Sequence, residues 1–149
     1  MNMKYVILLF TFLVGMSSEC LAQYQVNYQS STNNTITLRS VGYAKKKNLA
    51  LIDAELSAIK AILFQGIDNA YNSKAMITET EINIVKKHEK YFNDFFENGY
   101  KRFIASSEIV QPFSKDVNKR KNIVVDITVK VRALREDLER NGIIRKFGL

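Results

Sequence analysis

Residues 123–132 alternate without a break. Ile123, Val125, Ile127, Val129 and Val131 share one parity, and Val124, Asp126, Thr128, Lys130 and Arg132 share the other. Successive side chains of a strand point to opposite faces, so this period of two predicts a strand with one dry face and one wet face. Such a strand belongs to an antiparallel sheet covered on one side only, and the rest of the chain must supply the cover.

The cover is legible between Lys46 and Gln65. Leu49, Ile52, Leu56, Ile59 and Leu63 recur at spacings of three and four, which traces one continuous stripe along a helix. Each large member of such a stripe stabilises by roughly 1.5–3 kcal/mol when buried, so an aspartate at Leu56 or Ile59 is expected to unfold the domain. Ala50, Ala54, Ala58 and Ala61 lie beside the stripe, and side chains that small let the helix come close to a sheet or a second helix. Gly66 is placed to end it.

The remaining segments are read from the same rules. Residues 23–34 are polar and read as a flexible lead-in, with room for a short strand at Tyr24–Tyr28. Asn33-Asn34-Thr35 matches a glycosylation triplet, a pattern that arises often by chance. Thr35–Tyr43 alternates as a first strand with Ile36 and Leu38 inward, and Gly42 permits a turn or a close backbone approach. Residues 67–78 read as a loop. A second helix runs from about Lys86 to Asn98 and is closed by Gly99, with Ile82, Val85, Phe92 and Phe96 on one face of a wider span. Residues 100–113 suggest a strand with Phe103, Ala105 and, past a bulge, Ile109 facing inward; Pro112 marks its end or a sheet edge. The charged turn 114–122 then makes a long hairpin with the strand that follows. Leu134 and Leu138 stand four apart on a short closing helix ended by Asn141-Gly142, and Ile143, Ile144 and Phe147 behind it need cover. The expected fold is α+β: an antiparallel sheet of three to four strands, with a long helix and shorter helices packed on one face.

The first residues carry a separate message. Lys4 precedes the apolar run Tyr5–Met16, and small polar residues follow, which is the layout of a secretory signal peptide. The run is too short to span the roughly 30 Å of a bilayer core. Cleavage after Ala22 puts Cys20 at position −3 and Ala22 at −1. Lipidation at Cys20 is the weaker alternative, because the charged Glu19 sits beside the thiol. The expected organisation is a signal peptide at 1–22, a flexible segment at 23–34 and a single domain at 35–149. With one cysteine in the chain, no disulfide forms within it.

Charge limits the partners. The chain carries a net charge of +7, and the leader holds one Lys and one Glu, so its removal leaves the balance unchanged. A basic surface outside the cytoplasm meets anionic lipid, polysaccharide or acidic proteins rather than nucleic acid. Two basic clusters stand out: Lys45-Lys46-Lys47 before the long helix, and Lys119-Arg120-Lys121 with Lys115 in the hairpin turn, flanked by Tyr43 and Phe113. They are ordinary solvated turns unless the fold brings them to the same end of the domain, in which case a contact with an anionic surface gains support.

Catalytic signals are sparse. His88, the single histidine, lies in the charged run KKHEK and has no second His or Cys to share a metal. No G-x-S-x-G elbow, Walker loop, Rossmann fingerprint or calcium loop is present. The carboxylates fall into local groups, Glu136/Asp137/Glu139 among them, and on the closing helix Arg132–Glu136 and Glu136–Arg140 stand four apart and read as a surface ion-pair ladder. Asp53, beside the apolar stripe, is the one carboxylate expected to be partly buried. No catalytic residue, metal ligand or cofactor is assigned.

The stretch LRSVGYAKKKNLALIDAELSAIKAILFQGI, with Ala50, Asp53, Ala54 and Ala58 in an A-x-x-D-A-x-x-x-A register, resembles small bacterial envelope lipoproteins related to the N-terminal domain of flagellar assembly protein T. IVVDITVKVRALREDL is similar to that family's closing strand and helix, while the surroundings of Cys20 depart from its lipoprotein members. The resemblance implies an α+β accessory domain of the cell envelope without catalysis. The leading expectation is therefore an exported, non-enzymatic binding or assembly module, periplasmic or secreted or peripheral to the outer membrane, that touches an envelope protein through its sheet. The alternative is a binder of an anionic lipid headgroup or polysaccharide through the basic loops. A small hydrolase using His88 or Asp53 ranks third. The sequence names no partner and no oligomeric state.

Overall fold

A computed structural model describes residues 24–68, 70 and 74–146. The signal-peptide reading of 1–22, Cys20 and Phe147 lie outside the described residues. Four strands, β1 (Val26–Ser31), β2 (Ile36–Tyr43), β3 (Ile104–Lys115) and β4 (Lys121–Val129), form one antiparallel sheet in the order β1-β2-β4-β3. Four α-helices are described: α1 (Lys47–Lys60), α2 (Glu81–Lys87), α3 (Glu89–Glu97) and α4 (Val131–Arg140). A π-helical turn, Ala61–Gln65, continues α1, and a 3-10 turn, Gly99–Phe103, leads into β3. The α+β class and the antiparallel sheet are as the sequence predicts.

The two central strands set the two faces. Ile36, Leu38, Ser40 and Gly42 of β2 stand opposite Val129, Ile127, Val125 and Ile123 of β4, and all eight are buried. The other parity is open. There Thr37 and Thr128 share a 2.9 Å hydrogen bond, and Arg39 donates twice to Asp126, at 2.8 Å each. These hydrogen bonds from Arg39 hold the Asp126 carboxyl below its ordinary pKa.

The long helix meets the sheet through its alanines, which corrects the expectation that the leucine–isoleucine stripe faces the core along its whole length. Ala50, Ala54, Ala58 and Ile59 are buried, whereas Leu49 is 48% exposed and Ile52 and Leu56 are half-buried. The reason is a backbone contact. A Cβ on Gly42 would lie 1.9 Å from the carbonyl oxygen of Ala50 and 2.6 Å from the amide nitrogen of Ala54, so only glycine lets α1 settle this low. Two bonds fix the contact: Ser40 Oγ donates to the Ala54 carbonyl at 2.8 Å, and the Tyr43 amide donates to Asp53 Oδ2 at 2.8 Å. Farther along, Ile59 and Leu63 are fully buried, and Phe64 approaches Phe92 of α3 with ring centroids 6.3 Å apart. Gly66, at φ 82°, ends the helical run, and the returning loop donates the Met76 and Ile77 amides to the carbonyls of Ile62 and Leu63. Helix-end carbonyls that lack intrahelical partners are satisfied in this way.

Other boundaries differ from expectation for local reasons. Of the lead-in at 23–34, Val26–Ser31 is an ordered edge strand paired with β2 rather than a flexible tether. The alternation at the end of the chain stops at Val129. Val131 opens α4 instead of continuing the strand, after a turn at Lys130 with φ −78° and ψ 77°. Helix begins again at Glu81, not Lys86, and breaks at His88, whose φ of −123° separates α2 from α3. Within α2, Ile82 is 80% exposed and Ile84 is buried instead. Phe103 is buried, but from the 3-10 turn, and β3 starts after it. Ala105 and Ile109 are exposed, the latter by 47%, because register shifts at Ile104/Ser106 and Ile109/Gln111 rotate the strand away from the core. Pro112 lies on β3, an edge strand, where a missing amide donor costs nothing.

Candidate basic surface and the buried carboxylates

Both basic clusters fall at one end of the sheet. Tyr43, the last residue of β2, pairs with Asn122 at the start of β4, and the Ala44 amide donates to the Lys121 carbonyl at 3.3 Å. Lys45–Lys47 thus leave β2 beside the point where Lys119–Lys121 enter β4. The turn between β3 and β4 is built by Asp116. Its Oδ1 accepts the amides of Asn118 and Arg120 at 2.8 Å each, and Lys119 takes the left-handed conformation at φ 61°. Val117, at the tip, is 97% exposed.

Arg120 is committed within the protein. Its Nε donates to Asp116 Oδ2 at 3.1 Å, and its guanidinium lies 4.5 Å above the Tyr43 ring. The lysines are different. Lys45, Lys46, Lys47, Lys115, Lys119 and Lys121 are all exposed, and none has an ion pair or side-chain hydrogen bond among the described residues. Two arrangements work against stability. Lys115 stands directly opposite Lys121 across the β3–β4 ladder, and like charges at such a position repel. Lys45–Lys47 crowd the start of α1, which has no side-chain cap and no acidic residue in its first turn, so cations sit at the positive end of the helix dipole. An anion held at this end relieves both. Phe113, expected to flank the lysines, is half-buried and packs against the core.

The remaining sequence candidates have structural work. Asp53 is half-buried and ties the end of β2 to α1 through the Tyr43 amide. His88 is half-buried; its amide closes α2 on the Ile84 carbonyl, and its carbonyl accepts the Phe92 amide to open α3. No group of three or more His, Cys, Asp or Glu with metal-binding geometry occurs among the described residues.

Sequence reasoning missed the most buried carboxylate. The expected surface pair Arg132–Glu136 forms at 3.1 Å, but its neighbour Asp137, to which the sequence gives no special place, is only 7% exposed. It accepts from Tyr91 Oη at 2.8 Å and from an Arg102 guanidinium nitrogen at 2.9 Å, in a hollow of about 380 Å³ between α3, the 3-10 turn and α4. Its partners lie 46 and 35 residues away, so no local pattern announces them. Two similar pairs join distant segments: Tyr24 donates to Glu81 at 2.6 Å, and Tyr100 donates to Glu55 at 3.2 Å. Burial, reinforced by the adjacent carboxylate, raises all three phenols above their ordinary pKa, Tyr100 to about 12. Each of the three pairs braces segments that are far apart in sequence.

No helix among the described residues is long and apolar enough to cross a membrane. No protein-family model matches the chain, and neither a curated protein nor a solved structure gives a match.

Proposed function

We propose that this chain is an exported, non-enzymatic binding domain that rests its lysine-rich end on an anionic lipid surface of the cell envelope. The observation that carries the reading is the meeting of Lys45–Lys47 with Lys115, Lys119 and Lys121 at one end of the sheet, every one of them exposed and without an internal partner. Lysine is a hydrated point charge on a flexible stem, which suits a diffuse layer of headgroups better than a ligand of fixed shape. Each lysine near such a surface contributes about 1 kcal/mol, so six supply at most about 6 kcal/mol, enough for reversible attachment. Val117 adds a bare apolar tip to a turn whose amides are gathered on Asp116. The export signal and the resemblance to envelope lipoproteins support the compartment.

Protein contact through a sheet edge has less behind it. The β3 edge carries Pro112 and three register shifts, and β1 carries one between Tyr28 and Ser30. Such features blunt an edge against strand addition.

The test is sedimentation with vesicles of phosphatidylglycerol in phosphatidylcholine, set against pure phosphatidylcholine. Binding to the anionic vesicles should weaken as salt rises and should be lost in a Lys45→Glu/Lys46→Glu/Lys119→Glu/Lys121→Glu variant that keeps the native circular dichroism spectrum. Equal binding to neutral vesicles, or unchanged binding by that variant, would overturn the reading. Capture by an anionic polysaccharide with no vesicle binding would move the site to the polymer instead.

A further inference from the structure

Val117 stands past the last β3–β4 pair, where Lys115 faces Lys121, and is 97% exposed. The backbone around it is closed on itself. The Asp116 amide donates to the Arg120 carbonyl at 2.8 Å, and the Lys119 amide to the Asp116 carbonyl at 2.9 Å. The Asn118 and Arg120 amides both donate to Asp116 Oδ1 at 2.8 Å. Of the five amides from Asp116 to Arg120, four are thus satisfied inside the turn. Unsatisfied amides are what keep a loop out of an apolar layer, where nothing replaces water as their partner. The one carboxylate of the turn is covered as well. The Asp116 side chain is 15% exposed and accepts Arg120 Nε at 3.1 Å, and the Arg120 guanidinium lies 4.5 Å above the Tyr43 ring.

We infer that Val117 enters the boundary between headgroups and acyl chains of an anionic bilayer, while Lys115, Lys119 and Lys121 stop at the headgroup phosphates. The inference rests on the lipid reading of the lysine end and adds an apolar anchor to it, for which a hydrated polysaccharide has no layer. The order of residues along the hairpin suits the two depths. Lys115 and Lys121 flank the tip, and lysine stems lie along an apolar boundary while their ammonium groups stay among charged and hydrated ones. Entry one side chain deep keeps the exposed Asn118 at the level of the headgroups. The strands run back from the tip, so the sheet stands up from the membrane with the β1–β2 turn at its far end. Attachment then has two parts that answer salt differently. The lysine part is screened as ionic strength rises, and the valine part is not.

The chain contains no tryptophan, so one introduced tryptophan reports its own surroundings. On vesicles of phosphatidylglycerol in phosphatidylcholine, the emission of Val117→Trp should shift to the blue and be quenched by lipids brominated on the acyl chains near the headgroup. Asn33→Trp, in the exposed β1–β2 turn beyond the far end of β2, should show neither change. Tryptophan favours membrane interfaces by itself, so the native side chain is tested separately. Complete burial of a valine side chain corresponds to roughly 10–100-fold in partitioning, and entry here is partial. Val117→Ser should therefore weaken vesicle binding about 3–10-fold, with the larger relative loss at high salt. Neither substitution touches the core, because the position is exposed. An unshifted Val117→Trp on vesicles that the protein binds, equal quenching of Asn33→Trp, or wild-type affinity in Val117→Ser would each overturn the insertion and leave the lysine surface standing. Absence of vesicle binding by the wild type would remove both.

Discussion

Replacing Gly42 by alanine adds a single methyl group at the place where α1 comes down on β2. That methyl would lie 1.9 Å from the Ala50 carbonyl oxygen, 2.6 Å from the Ala54 nitrogen and 2.9 Å from the Ala54 Cβ, against an ordinary contact distance of 3.4 Å or more. The first two obstacles are backbone, so no rotamer change relieves them. The helix must rise by about 1.5 Å, and overpacking of this kind costs about 1–3 kcal/mol. A shift that large also stretches the 2.8 Å Ser40–Ala54 and Tyr43–Asp53 hydrogen bonds beyond bonding range. One is neutral and one charge-assisted, so their loss adds about 2–4 kcal/mol. The total, about 3–7 kcal/mol, is comparable with the roughly 5–15 kcal/mol stability of a whole domain. Urea unfolding followed by circular dichroism, with the m-value held as a check on two-state behaviour, measures it directly. A Gly42→Ala domain that unfolds within about 1 kcal/mol of the wild type would refute the claim that glycine sets the helix–sheet distance.

The burial of α1 makes a paired prediction: Ile59→Asp should unfold the domain, whereas Leu49→Asp, at a half-exposed position, should change stability by less than about 1 kcal/mol in the same urea assay. The tyrosine braces predict alkaline lability. Tyr24, Tyr91 and Tyr100 have folded pKa values raised above the ordinary 10.0, so their stabilisation is complete below pH 10 and is lost as pH rises through the folded values, Tyr100 near 12. Phenolate absorbance should therefore lag for these three until the circular dichroism signal collapses; simple titration of all tyrosines near pH 10 in the folded protein would contradict the braces.

Local patterns revealed the parts of the fold that local physics decides. The run from Ile123 to Val129 declared its dry face because a strand alternates whatever its neighbours do. Ile36 and Leu38 did the same, and Gly66 and Pro112 stand where backbone chemistry allows them. The buried face of α1 was hidden because two faces competed. The larger side chains Leu49, Ile52 and Leu56 carry more apolar area, but the alanines won the sheet, and that choice rests on Gly42, outside the helix. Val131 continued the alternation in sequence yet belongs to α4, since the parity rule has no knowledge of the turn at Lys130. The lysine clusters were visible as runs, but their meeting depends on the pairing of Tyr43 with Asn122. The setting of Asp137 was invisible because its partners Tyr91 and Arg102 lie tens of residues away.

Gathering the lysines at one end of β2 and β4 has an electrical consequence. Ions in solution damp a surface charge over about 10 Å at 0.1 M salt, less than half the roughly 23 Å that the eight residues of β2 span. Crowded cations at one pole therefore contribute almost nothing to the field felt at the other. A change of charge at the far end of the sheet, at Arg132 for example, therefore leaves the potential around the lysines almost as it was.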